Sequence, residues 1–148
     1  MIETMGTREG DGDSADALLL FVVGAHLSGE PLNHQLTSLG GRLSAIRQTS
    51  ANYRLYALPG TPARPGMVRT PGSGQAIEGE VWALLPAAFG HFVSQMPAPL
   101  TIGKVEIETG GLVCGFLCEA YAVADCEDIT TFGGWRRYRR ATLEKAVS

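Results

Sequence analysis

At 148 residues, with 45% apolar and 18% charged side chains, the chain is long enough for one domain with its own core, and its composition excludes a disordered or fibrous protein. Its formal charge of −3 provides no global field to draw it to nucleic acid or an anionic membrane, so any anion site must be local. The 19 glycines and 8 prolines call for many turns between short elements, which favours a sheet-rich fold.

Residues 1–16 carry Glu3, Glu9, Asp11, Asp13 and Asp16 against a single arginine, Arg8. That balance is the opposite of a secretory signal's basic start and too polar to join a core, so the segment reads as a disordered leader and the domain as residues 17–148. Ala17 to Val23 is a continuous apolar run bounded by Asp16 and Gly24. It is too short to span a membrane and has the character of a strand buried on both faces in the middle of a sheet.

A glycine-bounded turn, "GAHLSG", comes next, and Pro31 opens a short helix through "LNHQLTSL" that Gly40 and Gly41 stop. "RLSAI" and "YRLYAL" read as strands on either side of the polar "RQTSAN", and "PGTPARPG", with three prolines, reads as a loop. "AIEGEVWALL" alternates as a strand does, Pro86 opens a helix to about Gln95, and Pro97 and Pro99 prevent its continuation. "TIGKVEIE" and "LVCGFLCEAYAV" flank Thr109-Gly110-Gly111 and should pair as an antiparallel hairpin. The last segment places Trp135, Tyr138 and Thr142 on one face of a helix. This order predicts an α+β domain on a mixed, strongly curved sheet or small barrel.

Chemistry concentrates in the first turn. A strand ending at Gly24 before a short helix exposes backbone N–H groups that suit a carboxylate or phosphate, and His26 adds a group that titrates near neutrality. The turn lacks the Lys-Ser/Thr ending of a phosphate loop and the spacing of a dinucleotide fingerprint. His26 is either a proton-transfer group or a turn residue satisfying local backbone.

Arg64, between Pro62 and Pro65, either meets a carboxylate bidentately or is a solvated loop residue. Glu80 and Glu119 can face a cleft or water. Arg136, Arg137, Arg139 and Arg140 read as a solvated helix face or a contact for an acidic partner. Cys114, Cys118 and Cys126 have no C-x-x-C spacing and cannot all pair within one chain, so they read as reduced thiols of a cytoplasmic protein. No metal-type spacing, cofactor fingerprint or Ser-His-Asp order is present, so the sequence calls for no metal and no cofactor.

Five collinear segments, "VVGAHLSGEPLNHQLTSLGGRL", "YRLYALPGTPARPGMVR", "IEGEVWALLPAAFGHFVSQMPAPLTIGKVEI", "GFLCEAYA" and "DITTFGGWRRY", together resemble the C-terminal domain of allophanate hydrolase. The resemblance implies a γ-glutamylcyclotransferase-like fold, a small mixed β-barrel with short helices, whose first loop holds a substrate carboxylate. It implies decarboxylation of N-carboxycarbamate in urea and allophanate nitrogen metabolism, with His26 as the catalytic group. Gly24, Ala25, Leu27, Asn33, Gln35, Tyr53, Arg64 and Glu80 are then the candidates for binding the small dicarboxylate.

Cyclotransferases of the wider fold use a glutamate after the helix that follows a strand like "GEVW". Here Pro86 to Lys104 contains no Asp or Glu, which argues against γ-glutamyl cyclisation. A reading from another class is a non-catalytic module that binds a partner amidase or forms a homodimer.

Overall fold

The computed structural model describes residues 16–147, so the leader expected over residues 1–16 lies, Asp16 apart, outside the described residues. In chain order the elements are β1 (Leu18–Val22), α1 (His34–Thr37), β2 (Arg42–Gln48), β3 (Tyr53–Leu58), β4 (Arg64–Arg69), β5 (Glu78–Leu84), α2 (Pro86–Ser94), β6 (Leu100–Glu106), β7 (Leu112–Cys118), β8 (Glu127–Asp128) and α3 (Trp135–Val147). Single 3-10 turns occupy Ala120–Val123 and Thr130–Phe132.

The apolar run that opens the domain becomes β1, which lies in the centre of a five-stranded sheet of order β2-β5-β1-β7-β6. It pairs antiparallel with β5 and parallel with β7, so the sheet is mixed. Leu20, Phe21 and Val22 are fully buried, whereas Leu18 and Leu19 are half exposed where the strand enters the sheet. The expected hairpin is present: β6 and β7 pair antiparallel along their whole length, and Gly110 in their turn has φ of 100°. Glycine supplies that left-handed conformation without a steric penalty.

The two edges of this sheet, β2 and β6, meet just beyond their C-terminal ends. Ser50 N–H donates to Glu106 O at 2.8 Å, Glu108 N–H donates to Gln48 O at 3.0 Å, and Thr49 and Ile107 face each other as a bridge. These bonds draw the curved sheet together at one end, as a small barrel requires. Thr49 and Tyr53 seal this end from inside: Thr49 Oγ1 accepts the Ile77 N–H at 2.9 Å, and Tyr53 Oη accepts the Glu106 N–H at 2.8 Å. Both side chains are completely buried.

A three-stranded sheet, β4-β3-β8, packs against the first where β4 meets β7. Here the sequence reading needs correction. Arg64, Pro65 and Gly66, expected in a loop, begin β4 and pair with Leu58, Ala57 and Tyr56 of β3. Proline is tolerated because β4 is the edge strand, where a missing N–H breaks no second ladder.

Three boundaries also shift. The helix expected from Pro31 is only α1, with turns before it; Gly41 N–H closes on Leu36 O, and Gly40 at φ of 81° stops it. β7 ends at Cys118, and Ala120–Val123 forms a 3-10 turn instead of more strand. In α3, Trp135 and Tyr138 share a packed face with ring centroids 5.4 Å apart, but Thr142 is exposed because the later turns leave the body.

Replacing Tyr53 by Phe leaves the Glu106 N–H at the closed end without its acceptor. Urea unfolding of Tyr53→Phe should show a loss of about 1–2 kcal/mol with an unchanged slope. An unchanged midpoint would show that water replaces the phenol freely.

Candidate functional site

The turn after β1 is built from short-range hydrogen bonds. Leu27 N–H donates to Gly24 O at 3.0 Å, Glu30 N–H to Leu27 O at 2.9 Å and Leu32 N–H to Ala25 O at 2.9 Å. Asn33 Nδ2 donates to His26 O at 2.8 Å, fixing the turn from the side of α1. Among the described residues the N–H groups of Ala25 and His26 have no acceptor. Unpaired donors of this kind are what an anion needs.

His26 is 7% exposed. Its ring stacks on Phe116 of β7 at 5.0 Å between centroids and meets the edge of Phe92 of α2 at 5.1 Å. Nε2 lies 2.8 Å from Gln35 Oε1, so in this arrangement Nε2 carries the proton and Nδ1 is the acceptor. Burial is the largest influence and pushes the imidazole below its ordinary value. The Gln35 bond opposes that effect, and the nearby charges of Arg64 and His34 add to it. The ring is therefore neutral near pH 7.

Arg64 reaches the same place from β4. A Cβ on Gly24 would overlap the Pro65 ring, so the glycine lets β4 lie directly on the end of the β1 turn. His26, Gln35 and Arg64 line one cleft of about 130 Å³ with Phe92, Leu100 and Phe116, and Gly24, Ala25, His26 and Arg64 border a smaller recess beside it. Arg64 is half-buried, and among the described residues its guanidinium has neither an ion pair nor a hydrogen-bond partner. No carboxylate lines either space.

The other sequence candidates lie elsewhere. Leu27 is a core side chain, and its N–H is already bonded within the turn. Tyr53 sits in the core at the end of the sheet where β2 and β6 meet, with its hydroxyl on Glu106 N–H.

Glu80, 4% exposed, faces the back of the turn. Its Oε1 accepts from Ser28 N–H at 2.8 Å, Ser28 Oγ at 3.1 Å and Trp82 Nε1 at 3.0 Å, and Oε2 pairs with Arg136 at 3.2 Å. Burial works to raise the carboxyl, but the Trp82, Ser28 and Arg136 donors outweigh it and hold Glu80 below its ordinary value. It is an ionised clasp on the turn.

Arg136 also donates to Ser28 O. Its neighbours in "WRRYRR" suggest a uniformly solvated face, and nothing in that string marks this one arginine. Phe92 and Phe116 were equally hidden, because an aromatic residue in an apolar element looks the same whether it packs on leucine or on imidazole.

Residues 18–140 match the family model described as the allophanate hydrolase C-terminal domain. The chain belongs to this family. The urea amidolyase of Saccharomyces cerevisiae is 41% identical over 133 residues, covering 86% of this chain. The chain spans only 7% of that relative's length. The crystal structure of the K. lactis urea amidolyase superposes with a TM-score of 0.82 at 41% identity, over 84% of this chain and 8% of that one.

A uropathogenic E. coli-specific protein superposes at 0.78 with 33% identity, over 83% of this chain and 95% of its own. The fold extends further: a gamma-glutamyl cyclotransferase superposes at 0.53 with 14% identity over 76% of this chain. The α+β, γ-glutamylcyclotransferase-like architecture expected from the sequence is the one observed. Among the described residues no helix is long and apolar enough to cross a membrane, no group of three or more His, Cys, Asp or Glu is placed to hold a metal, and all three cysteines are free.

Two measurements test this geometry. Gly24→Ala should destabilise the fold by about 1–3 kcal/mol through overpacking against Pro65, and adding Pro65→Ala should recover much of the loss. Strictly additive losses would show that the close approach is not the cause. Separately, the folded state resists protonating His26, so its stabilising contribution is complete above about pH 6.5 and is lost as pH falls from there toward the lowered folded value. Stability measured through that window should fall less steeply in His26→Asn than in the parent; identical slopes would contradict a buried neutral ring.

Proposed function

We propose that this domain decarboxylates N-carboxycarbamate, or a small dicarboxylate like it, in the degradation of urea through allophanate. The observation that carries the reading is the convergence of a buried neutral histidine and an unpaired arginine on one cleft with no carboxylate. Such a site favours a small anion and disfavours a cation.

One substrate carboxylate lies on the Arg64 guanidinium, which matches it bidentately, and the other on the free N–H groups of Ala25 and His26. Two negative charges beside the ring oppose the effect of burial, so the imidazole gains a proton when substrate arrives. His26 passes that proton to the bridging nitrogen as one C–N bond breaks. The electron pair of that bond stays on nitrogen, carbon dioxide leaves, and carbamate remains. Proton uptake balances the step: the dianion and one proton give the carbamate monoanion and carbon dioxide.

Gln35 holds the ring through Nε2, and Asn33 holds the peptide that carries it. Both are positioning residues. A γ-glutamyl cyclisation needs a base to free the attacking amine, and the cleft offers no carboxylate for that task.

N-carboxycarbamate decays on its own, so the informative quantity is its rate of disappearance with and without this protein at a fixed level of an amidase-only allophanate hydrolase. The intact chain should accelerate the decay, and His26→Asn should lose about 100-fold or more of the acceleration while remaining folded at the assay temperature by circular dichroism. Equal rates with and without the chain would favour a non-catalytic module. Malonate, which keeps the dicarboxylate but cannot react in this way, should raise the melting temperature. Arg64→Lys should weaken malonate binding by about 1–3 kcal/mol in calorimetry.

A further inference from the structure

The dianion cleft accounts for one side of Arg64 only. On the other side lies a second and larger cleft, about 420 Å³, that shares Arg64, Pro97 and Leu100 with the first. Its walls come from two proline-rich loops, with Leu58, Pro59 and Pro62 on one side and Pro97 and Pro99 on the other. Tyr121, 69% exposed, stands at the rim beside Ala122.

The chemistry of this second cleft differs from that of the first. Among its lining residues Arg64 is the one charged group, and there is no histidine and no acid. The proline rings are rigid, so apolar surface already exposed there needs little ordering when a ligand covers it. A compact dianion of the size that suits the His26 cleft would leave the proline cleft unfilled. What matches a single guanidinium at the end of an apolar trough is a single carboxylate with a hydrocarbon tail.

We propose that the proline-lined cleft binds small aliphatic monocarboxylates, with the carboxylate on Arg64 and the tail between the 59–62 and 97–99 loops. One guanidinium serves both clefts, so an aliphatic carboxylate and the dianion exclude each other. The site thereby makes the domain sensitive to short fatty acids. The inference uses the same Arg64 as the proposed function, and the experiment is chosen so that the two can fail separately.

Acetate, hexanoate and malonate are titrated into the isotope-labelled full chain and followed by amide chemical shifts. Hexanoate carries four more methylenes than acetate and should bind at least about tenfold more tightly, given roughly twofold per half-covered methylene. Its shifts should centre on Leu58, Thr61, Leu100 and Ala122. Malonate should displace it.

Ala122→Trp and Thr61→Trp fill the trough from opposite walls. Each should reduce the hexanoate-to-acetate ratio to near one while leaving malonate affinity at its parental value. The use of two variants guards against either one failing to fold. A ratio near one in the parent chain, hexanoate shifts outside the trough, or hexanoate and malonate bound together would each overturn the inference. Hexanoate binding without malonate binding would remove the proposed function and leave this site standing, and the reverse result would do the opposite.

Discussion

The site depends on a missing side chain. Gly24 has room for no Cβ because the Pro65 ring occupies that space, and this contact lays the edge strand β4 across the end of β1. Arg64, one residue before Pro65, is carried to the turn that holds His26. A glycine at the end of a buried strand followed by a polar turn suggests a ligand approaching the backbone. Here it is the protein's own proline that approaches, and the cleft is the space left beside it.

Charge is arranged around the turn with the same economy. The carboxylate of Glu80 is buried behind it and is kept ionised by four donors from Ser28, Trp82 and Arg136. In front, the cleft contains a neutral imidazole and an unpaired guanidinium. A chain with net charge −3 thus presents a local positive field beside two peptide N–H groups that have no acceptor among the described residues. Burial opposes ionisation of His26, and an anion beside the ring would act in the opposite direction.

Much of this could be read from the residues, and the limits have physical causes. β1 and the β6–β7 hairpin were legible because a continuous apolar run and a glycine turn between two alternating segments each have few other uses. β4 was not, since a strand beginning Arg64-Pro65-Gly66 exists only because one edge needs no N–H there. The alternation around Glu80 correctly makes it a strand residue, but alternation yields a face and never a partner. Its clasp on Ser28 spans 52 positions, and the Tyr53 hydroxyl meets a backbone N–H 53 positions away. His26, Gln35 and Asn33 lie within one short segment, so their mutual proximity was within reach of the sequence. The proline-flanked Arg64 stood out as a possible carboxylate ligand, but no local pattern could have tied it to the turn.

The bond from Arg136 to Ser28 joins residues 108 positions apart. On a ribosome the turn is therefore among the first parts of the domain to emerge and among the last to be secured. Until α3 has been made and has folded back, Glu80 lacks its only basic partner among the described residues, and the turn is held by Glu80 and Asn33 without Arg136. A domain cut short before α3 would carry every cleft residue and still lack the Arg136 bonds to Ser28 and Glu80.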